Sequence, residues 1–146
     1  MPRFFTLQQA QELIPQLESW LRAALEAKSE AQEVDQELSD LSTRIALTGG
    51  IEIDPWATAS RKADRSRATA RFKEAMESIG KTGCLVKDLD TGLLDFPALL
   101  ENQEVYLCWR LGEEQIEYWH HVDAGVAGRR PITGELFGSG ENPKPN

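Results

Sequence analysis

The sequence is poor in the residues that make reactive or metal-bearing sites easy to find: its 146 residues include two cysteines and two histidines. Two cysteines cannot build a disulfide framework, and no C-x-x-C or H-x-x-x-H spacing supplies a zinc motif. Neither a Walker-type phosphate loop nor a G-x-G-x-x-G fingerprint is present, so nucleotide binding has no direct support. Long apolar runs are missing too. None approaches the roughly 18–20 residues of a membrane span, and Met1-Pro2-Arg3-Phe4-Phe5 lacks the apolar core of a signal peptide. Positive charge is in deficit, with 16 Lys+Arg against 24 Asp+Glu and a net charge of −8. That balance argues against a dedicated nucleic-acid or anionic-membrane binder. These absences bound a cytoplasmic globular protein with no membrane association and no cofactor.

What is present begins with helical periodicity. Leu13, Ile14, Leu17, Trp20, Leu21 and Leu25, then Ala27, Ala31, Val34, Leu38, Leu41 and Ile45, recur mostly three and four positions apart, the period of one helix face. Thr6 is placed as an N-cap, with Gln9 to complete a capping box and Phe5 as a staple residue. Pro15 removes one hydrogen bond and crowds the preceding turn, which predicts a kink or a short separate helix before it. Gly49-Gly50 ends the run. Asp54-Pro55 then caps and starts a second helix, expected to close at Ile79 with Gly80 as its left-handed cap.

At about 1.5 Å per residue, residues 7–48 would span about 60 Å and residues 55–79 about 38 Å. The shorter arm therefore pairs with the C-terminal part of the longer one, and the apolar N-terminal turns need the sheet as cover. The far end of the hairpin carries alanines where a core wants Leu or Ile. A homodimer formed through the helical hairpin is expected on that ground.

After Gly83 the period changes to two. Cys84–Asp88 and Leu93–Phe96 flank Asp90-Thr91-Gly92, a three-residue hairpin loop with glycine at the left-handed position. Pairing Leu89 with Leu93 sets Val86 opposite Phe96 and Lys87 opposite Asp95. A second hairpin joins Glu104–Arg110 to Gln115–His121. With Arg110 facing Gln115, the pairs Trp109/Ile116, Leu107/Tyr118 and Val105/His120 form an apolar face, while Cys108 lies opposite Glu117 and His121 opposite Glu104. A slip of one residue would bury Glu117, which selects this register. Residues 122–146, rich in glycine and proline, read as loop and tail.

Several ordered segments together resemble a known family. They are Phe5-Thr6-Leu7 with Leu13-Ile14-Pro15, Lys87 through Ala98, Leu107 through Glu113, Tyr118-Trp119-His120, and Gly128-Arg129-Arg130-Pro131. This set is similar to an uncharacterised bacterial family classed only as a domain of unknown function. The resemblance implies a prokaryotic cytosolic protein with a helical hairpin, and it brings no activity, cofactor or catalytic residue.

Candidate sites are few. In the register above Cys108 and His121 stand four residues apart along the ladder, roughly 13 Å, and His120 points to the other face, so a Cys–His dyad is sterically disfavoured. Cys84 approaches Cys108 or His120 only through sheet packing that the sequence does not supply. No metal ligands and no catalytic residues are therefore assigned. Tyr106 and Trp119 fall on the face away from the helices and need a cover, either the 122–131 loop or a partner. Arg129 and Arg130 follow a glycine-containing loop and suit an anion, although Asp123 and Glu117 offer ion pairs within the chain. In the second helix Arg61, Lys62, Arg65, Arg67, Arg71 and Lys73 spread around the axis, and the acidic first helix is their simpler complement than a nucleic acid. By segment, the net charge is −4 over residues 1–48, +1 over 49–80, −6 over 81–128 and +1 over 129–146.

The resulting expectation is an α+β protein: a long antiparallel helical hairpin (residues 6–80) and a small, mainly four-stranded antiparallel sheet with its loop (83–131). Residues 1–131 form a single domain, and 132–146 a flexible tail. The leading functional reading is a non-enzymatic, self-associating assembly module. The alternative is a small-ligand (anion) binder or small enzyme, with a pocket between the sheet and the 122–131 loop using Tyr106, Cys108, Trp119, His121, Arg129 and Arg130.

Overall fold

The computed structural model describes residues 3–50 and 53–137. Two helices, α1 (Leu7–Thr48) and α2 (Pro55–Lys81), precede five strands: β1 (Leu85–Asp88), β2 (Leu93–Leu100), β3 (Gln103–Arg110), β4 (Tyr118–His121) and β5 (Arg130–Pro131). A short 3-10 turn, Val126–Gly128, leads into β5. The sheet is an antiparallel meander in the order β1-β2-β3-β4-β5. The fold is therefore α+β, as the periodicities predict, with a two-residue fifth strand at one edge.

Both helix starts form as expected. The Gln9 amide N–H donates to Thr6 Oγ1 at 3.1 Å and the Thr6 amide N–H to Gln9 Oε1 at 3.0 Å, so the capping box is reciprocal. Asp54 Oδ1 accepts from the Trp56 amide at 3.0 Å, with Pro55 in the first helical position. Of the two outcomes expected at Pro15, the separate helix is corrected: Pro15 lies inside α1 without dividing it. It is exposed, so the carbonyl left without a donor can turn to water. The end of the second helix is corrected as well. The second helix passes Gly80 and ends at Lys81, and the left-handed residue after it is Gly83, at φ 93°.

The chain divides into two compact units, Met1–Leu21 with Glu77–Asn146, and Arg22–Met76. In the first, one sheet face carries Leu94, Phe96, Ala98, Val105, Leu107 and Trp109, all buried. It meets the N-terminal segment through the edge-to-face contact of Phe5 and Phe96, centroids 5.3 Å apart. Leu17 and Leu21 are fully buried in the same unit, and a β-carbon on Gly92 would lie 3.2 Å from Leu21. The second unit is an antiparallel pair of helical arms tied by Arg71–Glu30, Arg65–Asp35 and Arg61–Glu37. Its buried residues are Ala24, Ala27, Val34, Ala68 and Ala75.

The strand registers differ from the expected ones. In the β1–β2 pair, Val86 stands opposite Leu94, and an irregularity between Val86 and Asp88 shifts the ladder. Lys87 therefore does not face Asp95; its Nζ sits 4.8 Å from the centre of the Tyr106 ring. In the β3–β4 pair, Cys108 faces Tyr118, Leu107 faces Trp119 and Val105 faces His121, one residue away from the expected pairing. The cause lies in residues 115–117, which do not join β3. The Ile116 amide donates to Gln11 Oε1, and Glu117 O accepts from the Ile132 amide. With Glu117 outside that ladder, its burial no longer constrains the register. The expected tail is described as far as Phe137, which is buried and bridges Leu100; its remainder, 138–146, lies outside the described residues.

Candidate functional site

The one-residue shift decides which side chains meet. On an antiparallel sheet, paired residues share a face and alternate residues follow them. Asp95 of β2 pairs with Cys108 of β3, Cys108 pairs with Tyr118, and His120 lies two residues on from Tyr118, opposite Tyr106. Asp95, Cys108, Tyr106, Tyr118 and His120 thus project from one side. Asp95 and His120 are each 2% exposed and Cys108 is fully buried. One donor atom from each of these three residues lies within 4.8 Å of the others.

His120 Nε2 is 3.0 and 3.1 Å from the two Asp95 carboxylate oxygens. Its Nδ1 is 2.7 Å from the His121 carbonyl oxygen. A carbonyl only accepts, so Nδ1 carries a hydrogen. Burial, reinforced by the Asp95 charge, pushes the Cys108 thiol up to about 12. Burial raises Cys84 in the same direction, again with Asp95 contributing. A protonated thiol is a poor nucleophile, and an imidazole engaged at both nitrogens has no free lone pair for a base. The cluster as it stands is a closed polar network, and what it can exchange is its protons.

The family described as "Uncharacterized conserved protein (DUF2203)" matches residues 3–132. The chain belongs to this family. The match agrees with the resemblance carried by the ordered motifs. Comparison with curated proteins and with solved structures found no match.

In this DUF2203 chain the six residues singled out from the sequence fall on two sides of the sheet. Tyr106 and Cys108 share the side of Asp95 and His120. The Tyr106 ring contacts that of His120 edge to face, with centroids 5.5 Å apart. Trp119 and His121 take the opposite side, with ring centroids 5.0 Å apart, and Trp119 also meets Phe137. The arginines are engaged. Arg129 donates from Nη2 to Glu113 at 2.9 and 3.0 Å and lies 4.1 Å from the Tyr118 ring centre. Arg130 sits over Trp119 at 5.6 Å.

Asp95 and His120 were not among those six. The signal that finds them is the register itself: only the shifted pairing sets His120 on the side of Cys108. A cleft of about 1000 Å³ lies beside the first turns of α1, against residues 115–118 and 131–137, and holds none of the six. Glu12, Glu117 and Glu135 line it without any lysine or arginine. The Thr133 and Glu135 backbone amides and the Thr133 hydroxyl hold the Glu135 carboxyl below the usual carboxylate range. Tyr106 borders a smaller cleft of about 390 Å³ shared with Arg3, Lys81 and Glu104.

Proposed function

We propose that this DUF2203 protein is an assembly module whose Arg22–Met76 unit joins two copies of the chain in a helical bundle. The observation that carries this reading is the missing core of that unit. No described residue from 35 to 67 is buried, and four of the five buried residues among those described in the unit are alanine. Near the turn, Leu47 is 80% and Trp56 85% exposed. Burying a leucine or tryptophan of this kind contributes roughly 1.5–3 kcal/mol each, so a partner covering both, twice over by symmetry, supplies ample driving force.

Charge supports a like partner rather than nucleic acid. Arg61, Arg65 and Arg71 of α2 are held by Glu37, Asp35 and Glu30 of α1. The Glu37 contact keeps Arg61 protonated well above its ordinary value. A second hairpin offers the same acidic and basic arms to the groups that remain. A cytoplasmic setting fits this reading, since both cysteines are free and buried.

Light scattering on the full chain should give twice the chain mass, and the double substitution Leu47→Glu with Trp56→Glu should give the monomer. A monomeric wild type up to about 1 mM, where even an association worth about 4 kcal/mol would register, overturns the proposal.

The second reading, a small-ligand binder, is favoured by the 1000 Å³ cleft. Its three carboxylates suit a cationic ligand, whereas the arginines expected to hold an anion are already committed to Glu113 and to aromatic rings.

A further inference from the structure

We propose that Asp95, Cys108 and His120 form a three-ligand site for a zinc-like divalent cation on the β2–β3–β4 face of the sheet. The donor set is carboxylate oxygen, thiolate sulfur and imidazole nitrogen, each from a different strand and each buried. Zinc takes these three donor types at about 2.0–2.3 Å, which places tetrahedral ligands about 3.3–3.8 Å apart. The donors already lie within 4.8 Å of one another. The Asp95–His120 contact at 3.0 Å must open by a few tenths of an ångström while the Cys108 side closes by about 1 Å.

Three features beyond proximity point to a metal. First, the Nδ1–H of His120 is spent on the His121 carbonyl at 2.7 Å. That bond fixes the ring and turns Nε2 toward the carboxylate and the thiol, the orientation a ligating histidine requires of its outer contacts. Second, the donor charges match the ion: a thiolate and a carboxylate beside a neutral imidazole offset the charge of a divalent cation, so the buried sheet face holds it without net charge. Binding replaces the S–H bond by a metal–sulfur bond and releases the displaced proton to solvent, with no oxidation or reduction. Third, Tyr106, whose ring meets His120 edge to face, also lines the 390 Å³ cleft, so that cleft lies one side chain away from the site.

One soft thiolate and one imidazole beside a single carboxylate select zinc or cobalt over magnesium or calcium, which need more oxygen ligands.

The test is titration of the chelator-treated full chain with Co²⁺, then competition by Zn²⁺. One Co²⁺ per chain should bind, with a thiolate-to-cobalt charge-transfer band. Cys84→Ser should leave the band intact. Cys108→Ser should abolish it and weaken binding by about 100-fold. If Cys108→Ser does not fold, His120→Gln is the second variant, and the band and stoichiometry on the unaltered chain decide independently. No saturable binding, no charge-transfer band on the unaltered chain, or a band that survives Cys108→Ser overturns the proposal.

Discussion

The buried contact between Asp95 and His120 can be weighed by a double-mutant cycle on the chelator-treated protein. Replacing His120 with leucine leaves the Asp95 carboxylate, 2% exposed, with only the Cys108 thiol against it. The His121 carbonyl loses the ring contact at 2.7 Å but keeps the Ala124 amide, which donates to it at 3.1 Å. Stranding one partner of a buried pair costs about 3–5 kcal/mol. Replacing Asp95 with valine strands the imidazole instead, at about the same 3–5 kcal/mol.

The double substitution removes both charges and loses only the ring's hydrogen bond to the His121 carbonyl, which the Ala124 amide still holds. It should cost about 1–2 kcal/mol, far below the sum of the singles. Urea unfolding followed by tryptophan fluorescence reads this directly. With an m-value near 2 kcal/mol/M, each single variant lowers the midpoint by about 2 M and the double variant by less than about 1 M. Single variants that each lose under about 1 kcal/mol, with additive effects in the double, would show that the two groups do not act as a buried pair.

Gly92 and Gly112 give a second test, because both have positive φ, 70° and 105°, but different surroundings. A β-carbon on Gly92 would lie 2.5 Å from Leu111 Cβ, whereas one on Gly112 meets nothing within 4 Å. Gly112→Ala should cost the backbone term alone, about 1–2 kcal/mol; Gly92→Ala adds overpacking of about 1–3 kcal/mol, and equal losses would refute the close approach. The thiols predict alkaline sensitivity. Cys108 is raised from 9.0 to about 12, so the folded state holds its proton more tightly than the unfolded chain. Its contribution is complete below pH 9.0, and up to about 4 kcal/mol is lost as pH rises toward 12. Urea midpoints at about pH 8 and about pH 10.5 should diverge more in the wild type than in Cys108→Ala, and parallel curves would contradict the burial of this thiol.

How much of this was legible in the sequence follows from how local each determinant is. The capping box is written within four residues, and Thr6 and Gln9 meet through helix geometry alone. Gly92 is similar: its left-handed turn needs no distant contact. Strand register is not local. Residues 111–117 look short enough for a tight hairpin, and only Gln11, more than a hundred positions away, shows that Ile116 is drawn off the β3 ladder. Asp95 was assigned to Lys87 because a regular β1–β2 ladder would pair them, and the irregularity beside Lys87 removes that pairing. Both errors moved residues of the polar cluster, and a site built across three strands magnifies a one-residue slip into the loss of a ligand. The thinness of the hairpin core, by contrast, could be read from its alanines, because small side chains stay small in any packing.

The meander order of the sheet also sets a sequence of events in time. Every strand pairs with its neighbour in the chain, so the contacts close over short loops and carry a modest entropic cost. Asp95 and Cys108 come together as soon as the β2–β3 hairpin zips, across the two-residue turn at Glu101 and Asn102. His120 arrives only when β4 docks over the longer connection. Docking of β4 against β3 is therefore what completes the buried network, and the same strand then offers its other side to β5.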